Sequence, residues 1–246
     1  MRPVSAAAVH DAARLAAAFP QVWRADALGS YRRATIPSGH AALDRELPEG
    51  GWPSGVLIEL LTQQAGIGEM QLLQPALCRA GSRAIALVQP PHPPQAAAWA
   101  VEHFPVARLL WVKSKRAADA LWAAEHILRN GSCSALVLWE AQVRTESLRR
   151  LQLAAQAGDT VVWLVRPLAA AQDASPAPLR LALRPAAAGI RIDLVKRRGP
   201  RRDEPILVPL ETMPAADFHS FDSHHAFVDK RSSSLVTARN GAAVLV

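Results

Sequence analysis

The residues best placed to do chemistry lie in the stretch Glu59-Leu-Leu-Thr-Gln-Gln-Ala-Gly-Ile-Gly-Glu-Met70. An apolar strand pattern over Val56–Leu61 runs into a turn carrying Gly66 and Gly68, and an apolar helix pattern follows over Met70–Ala80. Strand, glycine-containing loop and helix in that order are the setting of a phosphate-binding loop. Such a loop needs small residues whose backbone N–H groups turn toward the phosphates, a lysine for the terminal phosphates and a serine or threonine hydroxyl for magnesium. Glu69 and Met70 stand at those last two positions. A carboxylate repels a triphosphate, so the stretch reads as a degenerate nucleotide site that uses no cofactor.

A second group of candidates is the basic run Lys196-Arg197-Arg198-Gly199-Pro200-Arg201-Arg202. Gly-Pro marks a turn, so the five cations are expected at one hairpin tip, as a nucleic-acid or partner contact or as a solvated turn. Contact of all five with duplex phosphates would give a log–log salt slope of about −4.5. The net charge of +7 over 246 residues favours an anionic partner such as DNA. Seven tryptophans are many for this aromatic content. Trp111, Trp139 and Trp163 fall inside strand patterns and are expected in the core, and Trp52 is expected to pack a Gly/Pro turn. Trp99 and Trp122 fall on helices and are candidates for partner contact.

Asp217, His219, Asp222, His224 and His225 lie in a polar C-terminal stretch without metal-ligand spacing, so no metal is expected. No Ser/His/Asp or Cys/His arrangement stands out. Cys78 and Cys133 sit in apolar runs and read as buried, reduced thiols. No 18-residue apolar run is present and the N-terminal segment makes a poor signal peptide, so a cytoplasmic location is expected.

The elements that must position these residues follow from periodicity. Ala84–Val88, Leu109–Val112, Ala135–Trp139 and Thr160–Val165 are continuous apolar runs, the pattern of strands covered on both faces in a parallel sheet. Helical patterns at Pro94–His103, Arg116–Asn130 and Thr145–Ala157 separate them, with Ser114 and Thr145 as expected N-caps and Gly131 and Gly158 as stops. A short helix fits His40–Leu47, and another fits residues 5–18. Ala169–Pro178 reads as a mobile loop. Leu179–Leu183, Ile190–Val195 and Ile206–Leu210 alternate apolar and polar residues and read as antiparallel strands at the C-terminal edge. The expected organisation is an N-terminal helix and lead-in over 1–40, an α/β core over 41–210 with a mainly parallel sheet flanked by helices, and a flexible tail over 211–246.

The order of the pieces resembles a known frame. Leu43-Asp44, Gly50-Gly51-Trp52-Pro53, Gly55 and Ile58-Glu59-Leu60 resemble the start of the RecA recombinase core, and Ser134–Trp139 takes the Walker B position. Trp23, Ser38-Gly39-His40-Ala41-Ala42-Leu43-Asp44, Leu47–Pro53, Gly66-Ile67-Gly68-Glu69 and Leu72–Leu77 are most similar to the ImuA family, RecA-like accessory proteins of inducible mutagenesis in bacteria. The resemblance covers roughly residues 20–210.

It implies a RecA-like fold and a non-enzymatic accessory role in damage-induced (SOS) translesion DNA synthesis. Its partners would be an ImuB-type polymerase-like protein, an error-prone polymerase and RecA. Trp139, followed by Glu140, stands where a Walker B aspartate belongs, and Pro91 stands near the family's water-activating glutamate; Glu140 or His92 are weak substitutes. RecA's DNA-facing loops correspond to Glu140–Arg144, which is short, and Pro167–Pro178, which is almost uncharged, so those contacts do not carry over. Two other readings are weighed against this one: a SulA-type cell-division inhibitor, also RecA-related, and a divergent DNA-dependent ATPase.

Overall fold

The computed structural model describes residues 34–94, 104–199 and 203–210, with the strands Val236–Thr237 and Ala243–Leu245. The expected helices at 5–18 and over most of Pro94–His103 lie outside these residues, as do Trp23, Trp99, Arg201, Arg202 and the acidic and histidine residues of 217–225.

The strands are β1 (Thr35–Ile36), β2 (Trp52–Pro53), β3 (Leu57–Thr62), β4 (Ala84–Val88), β5 (Leu109–Lys113), β6 (Cys133–Trp139), β7 (Val161–Pro167), β8 (Leu179–Ala186), β9 (Gly189–Lys196), β10 (Ile206–Pro209), β11 (Val236–Thr237) and β12 (Ala243–Leu245). The helices are α1 (Ala41–Asp44), α2 (Glu69–Arg79), α3 (Ala117–Asn130) and α4 (Thr145–Gln156). All but β1 and β2 join one sheet in the order β10-β9-β8-β3-β7-β6-β4-β5-β12-β11. From β8 through β5 the neighbours run parallel. The β8–β9 and β9–β10 pairs are antiparallel and finish one edge.

Continuous apolar strands buried on both faces account for this arrangement. Ile58 and Leu60 of β3 face one core, with Leu72, Leu73, Ala76 and Leu77 of α2. Leu57 faces the other, with Ala120, Ala124 and Leu128 of α3 and Leu148, Leu151 and Ala155 of α4. Helices therefore cover both faces. Gln152 of α4 reaches through the second core, its Oε1 accepting the Leu57 N–H at 3.0 Å.

Gly131 ends α3 in the left-handed region (φ 61), as its place in the sequence predicts. The expected caps differ. Arg116 and Arg144 hold the N-cap positions without a side-chain cap bond. Ser114 Oγ instead accepts the Arg116 N–H and donates to the Arg116 carbonyl, a local turn just ahead of the helix.

Three expectations are corrected by packing. Ala169–Pro178 is not a free loop: Ala170 and Ala177 are buried, and the segment is bonded to a charged cluster described below. Trp111 is half-buried because β5 lies toward the sheet edge, with Lys113 Nζ 6.0 Å from its ring centroid. In the segment read as a flexible tail, β12 pairs antiparallel with β5 (Val244 opposite Val112) and β11 pairs with β12. These strands take up backbone groups that β5 would otherwise leave open at an edge. Trp52 and Trp163 are fully buried and meet edge to face, with centroids 5.8 Å apart. Among the described residues no helix is long and apolar enough to cross a membrane.

Candidate functional site

In a parallel sheet, the C-terminal ends of the strands and the loops that follow them form the usual ligand crevice. Here the loop after β3, the turn after β4 and the end of β6 enclose a cleft of about 670 Å³. It is lined by Gly66, Gly68, Glu69, Met70, Pro91, His92 and Trp139, among others, so residues far apart in sequence and read separately as degenerate site positions converge in space. Glu140 sits one residue past β6, half-buried, its N–H donating to the Val165 carbonyl at 3.2 Å.

The loop itself is occupied. Glu69, the first residue of α2, is buried, and both its oxygens accept the Gly66 N–H, Oε1 at 2.8 Å and Oε2 at 3.1 Å. A carboxylate at a helix N-terminus is favoured by the unsatisfied N–H groups and the helix dipole there. The side chain at the lysine position thus folds back as an internal anion on one of the loop amides that a phosphate would use. The sequence predicts repulsion of a triphosphate, and the geometry adds direct competition for the donor.

Gly68 packs the same loop against the antiparallel edge. At φ 106 it tolerates no ordinary side chain, and a Cβ there would stand 2.6 Å from Leu210 Cδ1. Just past β4, ahead of the prolines that line the cleft, Gln89 holds a positive φ of 53. Its side-chain amide pairs with the Ser114 backbone, Nε2 donating to the carbonyl and Oε1 accepting the N–H, each at 2.8 Å. This clamp ties the start of the Pro90–Pro94 run to the end of β5. The cleft wall is therefore largely proline, tryptophan, methionine and isoleucine, with His92 exposed on it. Trp139 brings an indole, which donates and cannot ligate magnesium.

The lead-in motif is structural. The Ser38 N–H donates to Asp44 Oδ1 at 2.8 Å, and Ser38 Oγ accepts the His40 N–H at 3.1 Å. Gly39 (φ 87) lies so close to α2 that a Cβ would stand 2.4 Å from Pro75 Cβ. Burial holds the His40 imidazole below its ordinary value; the Leu72 backbone and Asp44 oppose the shift and Arg79 adds to it. Gly51 is extended, and a Cβ there would meet the Ile36 carbonyl at 2.5 Å, which fixes the β1–β2 approach.

The described part of the basic run does not project as one cluster. Arg197 turns inward, its Nη1 donating to Glu46 Oε2 at 2.9 Å and to the Glu46 carbonyl at 3.0 Å. Lys196 Nζ donates to the Ser175 carbonyl at 2.9 Å, and Arg198 is exposed. Two of the five cations thus fasten the end of β9 to neighbouring segments. Trp122 is exposed on α3, its ring against His126 with centroids 4.1 Å apart.

A buried charge cluster was not anticipated from the sequence. Glu59 in the middle of β3 is fully buried. Arg180 Nε of β8 donates to its Oε2 at 2.6 Å, Ser175 Oγ donates to its Oε1 at 2.6 Å, and Arg166 Nη1 of β7 lies 3.7 Å from Oε1. Arg180 also donates to the carbonyls of Ala170, Ala171 and Asp173, and Arg166 Nη2 pairs with Asp173 at 3.1 Å. The signal was available: three charged residues, each interrupting an apolar strand. A second cluster sets the buried Glu125 of α3 between Arg129 and Arg150.

Both cysteines are free thiols; Cys133 is buried, and burial pushes its thiol up. Comparison with protein-family models and with curated proteins finds no match, so the reading of the cleft rests on its geometry and on the resemblance of its motifs.

Proposed function

We propose that the protein is a RecA-like pseudo-ATPase that serves, without catalysis of its own, as an accessory of damage-induced translesion DNA synthesis. In this reading it bridges error-prone polymerase components, including an ImuB-type polymerase-like partner, to RecA filaments. The observation that carries the non-enzymatic part is the Glu69 carboxylate on the Gly66 N–H. A nucleotide would have to displace a buried internal anion, and would then meet neither a lysine nor a magnesium-binding hydroxyl. Phosphoryl transfer depends on those charges. Trp139 and Pro91 on the same cleft support the loss of the whole hydrolytic set.

The accessory part draws on the motif resemblance and on the retained frame: strands, helices and lead-in turns are kept around a cleft that carries Glu69, Met70, Pro91 and Trp139 at the positions the resemblance assigns to hydrolysis. The segment matching RecA's second DNA-facing loop is fastened to Arg180 and Arg166, which supports assigning DNA contact to the partners or to the exposed cations rather than to that loop.

Two measurements test the reading. Purified protein is expected to turn over no ATP above background, with or without single-stranded DNA, and to be retained on RecA filaments or on an ImuB-type partner in a pull-down. DNA-stimulated turnover removes the pseudo-enzyme reading, and loss of both interactions removes the accessory one.

A further inference from the structure

The surface between α3 and α4 takes no part in the cleft, yet it carries the features of a recognition site. A groove of about 370 Å³ lies there, lined by Leu121, Trp122, Arg144 and Leu151 among others. Trp122 is 47% exposed, a large apolar surface to leave in water on an ordered helix. Tryptophan and arginine are the residue types that most often dominate binding energy at interfaces.

Cations outnumber carboxylates around the groove, although the first turn of α4 also carries the exposed Glu146. Residues 115–130 and 144–156 carry six lysine or arginine side chains against three carboxylates. One of those carboxylates, Glu125, lines the groove but is held by Arg129 and Arg150, so it offers little to an incoming cation. A second, Asp119, is 4.0 Å from Arg116. Arg144, on the lining, is exposed and has no carboxylate partner among the described residues. An apolar trough with the free Arg144 guanidinium on its lining and an excess of cations on both helices suits an apolar anchor flanked by carboxylates.

We propose that this groove docks an acidic, amphipathic peptide segment of a partner protein. Its apolar side chain would enter against Leu121, Leu151 and the Trp122 ring, and its carboxylates would meet Arg144 and the neighbouring cations. Short segments commonly bind in this way, laying an apolar face into a groove between helices. Single-stranded nucleic acid is the weaker fit. Its binding surfaces combine a cationic track with a series of aromatic platforms, whereas here a single exposed indole lines the groove, packed on His126. The proposal does not depend on the translesion reading.

The test uses the full chain and a fluorescein-labelled peptide alternating glutamates with leucine and phenylalanine at helical spacing. Its controls are the same peptide with every Glu replaced by Gln and a labelled oligo-dT. Fluorescence anisotropy is expected to show saturable binding of the acidic peptide, weakened about tenfold by Trp122→Ala and about tenfold by Arg144→Glu. The Gln peptide is expected to bind at least about tenfold more weakly. Both substituted residues are exposed, and an unchanged melting curve shows that the fold survives. The proposal is overturned if the acidic peptide does not bind, if either variant binds it as tightly as the wild type does, or if the Gln peptide binds as well as the acidic one. Tighter binding of oligo-dT, lost in the same variants, would assign the groove to nucleic acid instead.

Discussion

Removing the Glu69 carboxylate tests the self-occupied loop directly. In Glu69→Ala the Gly66 N–H loses both acceptor contacts, at 2.8 and 3.1 Å, and α2 loses the negative charge in its first turn. A hydrogen bond to a charged group contributes about 1.5–3 kcal/mol, and the helix-terminus charge about 0.3–1 kcal/mol. Gly66 is itself exposed, so water can replace part of the lost bond. A net cost of about 2 kcal/mol is therefore expected. For a domain of this size that lowers the melting temperature by roughly 4–8 °C. Glu69→Gln keeps an acceptor oxygen and should lose about half as much. Urea unfolding of the three proteins measures the differences. A second readout separates an anion nest from a generic cap: millimolar pyrophosphate should raise the melting temperature of Glu69→Ala by linkage and leave the wild type unmoved. An Ala variant as stable as wild type, or equal pyrophosphate effects on both, would refute the argument that the carboxylate holds a phosphate's place.

The Glu59 cluster should behave as a coupled unit: Arg180→Met alone costs about 3–5 kcal/mol, and Glu59→Leu with Arg180→Met recovers part of it in a double-mutant cycle by urea denaturation. Gly39→Ala should cost about 2–4 kcal/mol, because it combines a positive φ with a 2.4 Å approach to Pro75, and a Pro75→Ala background should relieve part of the clash but not the φ penalty. His40 titrates lower in the folded protein than its ordinary 6.5, so below that value the unfolded state binds more protons and stability falls as pH drops. His40→Gln should flatten that limb in urea midpoints taken across it. Cys133 should resist a thiol reagent until the protein unfolds, since it is buried and its thiol is pushed up.

Periodicity was a sound guide wherever burial was symmetric. Ala84–Val88 is β4 residue for residue, and Arg116–Asn130 differs from α3 by one residue, because apolar runs and a terminal glycine are written locally. Pro91 and Trp139 were singled out by the motif resemblance rather than by periodicity, and the parallel order of the strands is what brings them to one end of the sheet. What the sequence concealed depended on distant partners. Nothing around Ala169–Pro178 announces that its carbonyls belong to Arg180, and nothing around Lys196-Arg197-Arg198 announces Glu46 across the fold. Glu69 shows the same limit at short range. Its charge was readable, but its burial and its turn back toward Gly66 follow from the loop's closure against Leu210 and Ile190.

The charged cluster on β3 has a consequence for how the molecule opens. Glu59 joins β8, β7 and the 168–177 segment through one carboxylate and two guanidinium groups. Releasing that segment alone would take three carbonyls and the Ser175 hydroxyl away from the buried Glu59–Arg180 pair, so its opening costs more than that of an untethered surface loop. An alanine-rich stretch with exposed residues at 172–174 would ordinarily be among the first parts to breathe. Here its carbonyls hold a buried guanidinium of β8, so opening residues 170–175 exposes Arg180 and Glu59 and is resisted by the charge pair on the central strand.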